Sequence, residues 1–247
     1  VVVVLPTYAR RGSPVSLEEF YRPGKKYRTL YVLHGGSDDC TYYVRNTSIE
    51  RYAQEGGFAA VMPEVRLSFY CDMRHGGKYL TFISEELPEV VESVFPLSSE
   101  SRDRFVVGNS MGSHGAMKWA MTRPGDFAAA AGMSGVGDVE DMGFFDMFPR
   151  EGSNPVLCSF GTAGEYRGSA NDLRLLAKRL AEYGGRIPRL FSCCGTEDPY
   201  YPGVRRFVEY AAQVGLPLTF EEGPGAHQWE FWDKWLIRII DWMGIKE

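Results

Sequence analysis

Val106-Val107-Gly108-Asn109-Ser110-Met111-Gly112 is an apolar run that closes in Gly-x-Ser-x-Gly and passes directly into Gly115-Ala116-Met117-Lys118-Trp119-Ala120. A run from Arg104 to Val107 rich in β-branched and aromatic residues predicts a strand. The Ala- and Met-rich stretch Met111–Met121, free of proline until Pro124, predicts a helix. A serine between the two sits on a sharp turn, with glycines where a side chain would strike the neighbouring strand or helix. In a chain with 28 glycines among 247 residues the bare pattern arises by chance about once in five such sequences. The surrounding residues therefore have to carry the reading.

Working outward, strand-like runs recur at Tyr27–Leu33, Phe58–Met62, Phe127–Met133, Pro155–Phe160, Arg189–Cys194 and Pro217–Glu221. Helical patterns lie between them at Tyr42–Glu55, Lys78–Phe95, Asn171–Tyr183, Gly203–Val214 and Gln228–Met243. Such alternation predicts an α/β fold with a mainly parallel sheet and helices on both faces. Leu80, Ile83, Leu87, Val90, Val91 and Val94 form a buried-face spacing, interrupted by a kink at Pro88. The aromatic residues from Trp229 to Trp242 read as a docking stripe. Residues 135–169 lack periodicity and are expected to form a small cap on a single domain spanning 1–247.

Composition narrows the classes. A net charge of -5 with 44% hydrophobic residues, and no stretch of Lys and Arg without interleaved acids, argues against a nucleic-acid partner. No apolar run nears the roughly 18 residues that span a bilayer, so no membrane partner and a cytoplasmic location are expected. Val1–Val4 reads as the tail of a strand. Five cysteines, Cys40, Cys71, Cys158, Cys193 and Cys194, have neither metal-ligand spacing nor an even count, so they read as reduced thiols and no metal is expected.

A serine hydroxyl needs a base, and the base an orienting carboxylate. Of His34, His75, His114 and His227, only His227 follows the last predicted strand, on the loop Gly223-Pro224-Gly225-Ala226. His114, four residues after Ser110, reads as a polar surface residue, and His34 as structural. Asp198, after the strand Arg189–Cys194, is favoured as the acid, with Glu197 as the alternative; Asp138 and Asp172 read as loop or helix-capping residues. Oxyanion donors are expected from the amides of Met111 and Gly36, with Ser37 in reserve for the latter. The order Ser110, Asp198, His227 is that of an α/β-hydrolase elbow.

The chain resembles the esterase D and tributyrin esterase branch of the α/β-hydrolases, whose relatives include S-formylglutathione hydrolases and feruloyl esterases. The resemblance covers nearly the whole chain. It rests on His34-Gly35-Gly36-Ser37, on Arg45, Asn46, Ile49–Ala53, Met62-Pro63 and Ser68–Met73, on Thr81–Pro88, on the elbow, and on Cys194–Pro199 and Gly225–Trp232. It implies a serine carboxylesterase acting on short-chain acyl esters through an acyl-enzyme on Ser110, without cofactor, often as a homo-oligomer. Ser113, His114 and the loop Ser37–Cys40 depart from the family pattern. Ser37, Phe144, Phe145 and Phe148 are expected to contact the substrate. The rivals are hydrolysis of S-formylglutathione or another thioester, with Arg45, Arg66 and Arg74 as partners for glutathione carboxylates, and a catalytically silent binding module on a hydrolase scaffold.

Overall fold

A computed structural model describes residues 1–8, 16–135, 137–147 and 154–246. Among these residues seven strands, β1 (Val2–Val4), β2 (Thr29–Leu33), β3 (Ala59–Met62), β4 (Arg104–Asn109), β5 (Ala129–Met133), β6 (Arg189–Gly195) and β7 (Leu218–Gly223), form one sheet in the order β1-β3-β2-β4-β5-β6-β7. Among the described strands only β1 runs antiparallel, with Val2 opposite Met62. The predicted tail of a strand at Val1–Val4 is thus an edge strand.

Alternation along each strand splits the core in two. Tyr31, Leu33, Val106 and Ala130 face one side, under the helices α3 (Met111–Thr122), α4 (Leu173–Ala181) and α5 (Tyr201–Gln213) and next to α2 (Leu87–Val94). Leu30, Val32, Phe105, Val107, Ala131 and Phe191 face the other, under α1 (Ile49–Gly56) and α6 (Trp229–Met243). A parallel sheet covered on both faces needs such continuous apolar strands. Helix α3 is buried at every residue from Met111 to Met121, which explains its lack of an amphipathic stripe.

Register brings the carboxyl ends of the central strands to one edge. Leu33 pairs with Gly108, Asn109 with Met133, Met133 with Cys193, and Gly195 with Gly223. Loops leaving those positions converge, as expected where ligands bind in open α/β sheets.

Three expectations are corrected. Pro155–Phe160 is a helix, not a strand: the Asn154 side chain accepts from the Val156 and Leu157 amides, and Pro155 occupies the first turn, where its missing N–H costs nothing. Tyr42–Glu55 divides into Tyr42–Asn46 and α1 around Thr47 and Ser48. Val90 and Val94 are 58% and 66% exposed, so they lie off the buried face assigned to them. At Pro88 the helix continues through a π-helical turn, Phe82–Glu86, in which the Leu87 N–H donates to the Phe82 carbonyl. The extra residue in that turn shifts the ladder where proline cannot donate.

Candidate active site

Ser110 has φ 52° and ψ -120°, a strained conformation for a residue with a side chain, and its neighbours hold it there. The Ser110 N–H donates to the Met133 carbonyl at 2.9 Å. A Cβ on Gly108 would stand 2.2 Å from the Gly112 carbonyl oxygen, and one on Gly112 would stand 2.0 Å from the Leu33 carbonyl oxygen. Both glycines of the motif are therefore required by contact with backbone, which cannot step aside.

His227 Nε2 lies 2.9 Å from Ser110 Oγ, and His227 Nδ1 lies 2.9 Å from Asp198 Oδ2. Asp198 is buried, its side chain 0% exposed, while that of His227 is 23% exposed. The second carboxylate oxygen, Oδ1, accepts the Tyr200 N–H at 2.9 Å. An acceptor-only carboxylate at Nδ1 places the imidazole proton there and leaves Nε2 as the acceptor facing the serine hydroxyl. Edge-on contacts with Tyr200 and Trp232, each with ring centroids at 4.9 Å, fix the ring plane.

Glu197, the alternative acid, does not touch the imidazole. It is exposed, its Oε2 accepts the Gly225 N–H and its Oε1 accepts the Thr196 hydroxyl. Those bonds, the Gly225 amide foremost, hold its carboxyl below its ordinary range. Glu197 thus ties the loop that carries His227 to the loop that carries Asp198. The two backbones touch as well, since a Cβ on Gly195 would stand 2.0 Å from the Gly225 carbonyl oxygen.

The loop after β2 supplies the opposite wall. His34 is buried and accepts the Val65 N–H at Nε2, 3.2 Å, so its Nδ1–H donates to the Gly35 carbonyl at 2.7 Å. Asp38 Oδ2 accepts the Gly35 N–H at 3.1 Å, and burial raises its carboxyl pKa. Gly36 stands beside Met111, with a built Cβ 3.9 Å from the Met111 Cβ. Among the described residues neither the Gly36 nor the Met111 amide donates a hydrogen bond. Two unpaired donors flanking a nucleophile can receive an oxyanion, each worth about 3 to 4 kcal/mol of transition-state stabilisation.

These groups border a cavity of about 660 Å³. Ser37 and Phe144 line it. Phe145 does not, because its ring packs on Tyr166 at 5.6 Å, leaving Phe144 to pack on Phe69 and Tyr200. Phe148 lies outside the described residues. His114 is 3% exposed and lines the cavity, so its reading as a surface residue is corrected. Sequence reasoning also missed Leu67, Phe69, Met142, Tyr200, Trp229 and Trp232 as lining residues. Trp229 and Trp232 had a usable signal, since they open a helix two and five residues after His227. Among the described residues of the lining, Asp38 and Glu230 carry charged side chains.

Asp172 caps α4 by accepting the Leu175 N–H, as expected; Asp138 is buried and accepts the Tyr166 hydroxyl at 2.9 Å. Among the described residues no group of three His, Cys, Asp or Glu side chains converges as metal ligands, and no helix is long and apolar enough to cross a membrane. All five cysteines are free thiols.

Comparison with known proteins gives a consistent set. The family model described as "Putative esterase" matches residues 10–243. An acetyl esterase of Caldicellulosiruptor saccharolyticus is 25% identical over 238 residues, 90% of this chain and 88% of its own. Among solved structures, FphF of Staphylococcus aureus, a fluorophosphonate-binding serine hydrolase in a substrate-bound form, is 33% identical with a TM-score of 0.84, covering 98% of this chain and 91% of that one. The apoenzyme of an S-formylglutathione hydrolase, FrmB, from the same organism is 33% identical with a TM-score of 0.82 and the same coverage.

Proposed function

Since the chain belongs to the esterase family and is a carboxylic ester hydrolase, we propose that it cleaves short-chain acyl esters in two steps through an acyl-enzyme on Ser110. The observation that carries this is the pair of 2.9 Å contacts joining Ser110 Oγ, His227 and Asp198. Ser110 Oγ attacks the ester carbonyl while its proton passes to His227 Nε2. Negative charge on the carbonyl oxygen is received by the Gly36 and Met111 amides. As the carbon–oxygen bond to the alcohol breaks, His227 returns the proton to the leaving oxygen. Water then repeats the sequence in the alcohol's place, giving up its proton to His227, and releases the carboxylic acid and free Ser110. Asp198 keeps Nδ1 protonated throughout and stabilises the imidazolium.

The short-acyl reading is supported by the aromatic wall around His114 on α3. There His114 is held between Phe69 and Phe160, at 6.2 and 6.0 Å between ring centroids, and Phe144 packs on Phe69 at 5.6 Å. We assign residues 135–169, which contribute Gly135, Gly137, Val139, Met142, Phe144 and Met147 to the lining, as the cap of a single domain. The test is turnover of p-nitrophenyl acetate, butyrate and octanoate by wild type and by Ser110→Ala. Loss of all activity in the variant, with acetate and butyrate favoured by wild type, is expected; full activity in the variant refutes the mechanism.

A second reading, hydrolysis of S-formylglutathione, is favoured by the likeness to FrmB. Charge counts against it. Among the described residues the cavity presents the carboxylates Asp38 and Glu230 and no Lys or Arg, whereas glutathione carries two carboxylates. Arg45 stacks on Tyr42 and pairs with Asp39, and Arg74 pairs with Glu165. Rates on S-formylglutathione and on p-nitrophenyl acetate, side by side, separate the two.

A further inference from the structure

The loop that follows β2 carries four backbone polar groups in two successive peptides, and three of them are paired. The His34 carbonyl accepts the Tyr70 hydroxyl at 2.9 Å, and the Gly35 N–H donates to Asp38 Oδ2 at 3.1 Å. The Gly35 carbonyl accepts His34 Nδ1–H at 2.7 Å and the Asp38 N–H at 3.3 Å. The fourth group, the Gly36 N–H, is the donor assigned above to the oxyanion. Glycine at 35 and 36 sets no side-chain limit on φ and ψ, so these hydrogen bonds decide which way that N–H points. His34 and Asp38 belong to the loop and travel with it. Tyr70 comes from another segment.

That segment also grips the other half of the oxyanion site. The Phe69 N–H donates to Met111 Sδ at 3.4 Å, and the Tyr70 ring passes over Gly115 of α3, where a Cβ would stand 2.4 Å from it. The braced carbonyl lies against the elbow, since a Cβ on Gly112 would stand 2.8 Å from the His34 oxygen. Phe69 and Tyr70 have φ of 50° and 53°, left-handed values that bulky side chains rarely take and that persist only where surrounding contacts enforce them. Ser68 Oγ accepts the Tyr70 N–H at 3.2 Å. Tyr70 is fully buried, which raises its phenol pKa well above the ordinary value and keeps it an O–H donor. We infer that Tyr70 is a positioning residue for ester cleavage: its hydroxyl braces the His34–Gly35 peptide against α3 and so fixes the Gly36 amide relative to the Met111 amide. The inference rests on the oxyanion reading above and names what holds its two donors together.

The experiment compares wild type and Tyr70→Phe in hydrolysis of p-nitrophenyl acetate and in inhibition by 1,1,1-trifluoro-2-butanone, whose hemiketal on a serine carries the negative oxygen of the acyl-transfer intermediate. Tyr70→Phe keeps the ring and removes only the hydroxyl. A misplacement of about 1 Å can cost about a hundredfold, so kcat should fall by about tenfold or more while KM stays within about threefold. The Ki for the ketone should rise by a factor similar to the loss in kcat. A purely structural role would lower the melting temperature and leave kcat and Ki of the folded enzyme at wild-type values, and that result overturns the inference. The crystal structure of the wild-type ketone adduct requires no variant to fold. Its hemiketal oxygen should lie within hydrogen-bond reach of the Gly36 and Met111 amides, with the Tyr70 hydroxyl still on the His34 carbonyl. An oxygen held by other donors overturns the oxyanion reading, and the inference with it. An oxygen on both amides with the Tyr70 hydroxyl released from His34 overturns the inference alone.

Discussion

Asp198→Asn should cost this enzyme about four orders of magnitude in kcat, and the reason lies in a bond on the far side of the carboxylate. Oδ1 accepts the Tyr200 N–H at 2.9 Å, and Oδ2 faces His227 Nδ1 at 2.9 Å. An asparagine must place its carbonyl oxygen against the Tyr200 amide, which can only donate. Its NH2 then faces His227 and donates to Nδ1, so the imidazole proton moves to Nε2. Nε2 would donate toward Ser110 instead of accepting its proton, and general-base catalysis fails. The same exchange of tautomer in a serine protease lowers kcat about 10⁴-fold, equivalent to roughly 5.4 kcal/mol. Steady-state hydrolysis of p-nitrophenyl acetate by wild type, Asp198→Asn and Glu197→Gln reads the effect, with thermal melting to confirm folding. Glu197→Gln should lose less than about tenfold, since that side chain supports a loop and does not contact the ring. Asp198→Asn within tenfold of wild type, or a larger loss in Glu197→Gln, refutes the assignment of the acid.

Other expectations follow from the same geometry. Gly112→Ala forces a Cβ to 2.0 Å from the Leu33 carbonyl oxygen; denaturant unfolding should show destabilisation of about 3 kcal/mol or more, or no soluble protein, and a well-folded active variant contradicts the elbow packing. His114, with its pKa lowered to about 3 from 6.5, binds a proton in the unfolded chain before the folded one. Its contribution is therefore fully present above pH 6.5 and declines as pH falls from 6.5 toward 3. Wild type should lose about 2 kcal/mol relative to His114→Phe between pH 7 and pH 5, which urea titrations at both pH values would measure. Phe69→Ala removes the ring that meets both His114 and Phe144, so the ratio of octanoate to butyrate turnover should rise by about tenfold; an unchanged ratio places the acyl pocket elsewhere.

The parts of this molecule legible in its sequence are those governed by backbone sterics and strand hydrophobicity. Gly108 and Gly112 are dictated by contacts under 2.5 Å to main-chain atoms, so the spacing itself announced the turn. The central strands are apolar on both faces and stood out as runs. Placing Asp198 and His227 required only that both follow strands ending at the same edge. Pro155–Phe160 was misread because a six-residue apolar run fits either a strand or a buried helix, and the cap at Asn154 went unused. His114 was misjudged because α3 is covered on every side, so no polar face exists for it to occupy. The choice between Phe144 and Phe145 depended on the orientation of a single short helix, Phe144–Met147, which four residues do not reveal.

In the proposed reaction the acyl group passes through Ser110. Wild type treated with diethyl p-nitrophenyl phosphate and digested for mass spectrometry should carry one diethylphosphoryl group, on Ser110, with loss of esterase activity in proportion to labelling. Labelling at another residue, or full inactivation while Ser110 stays unmodified, would contradict the account.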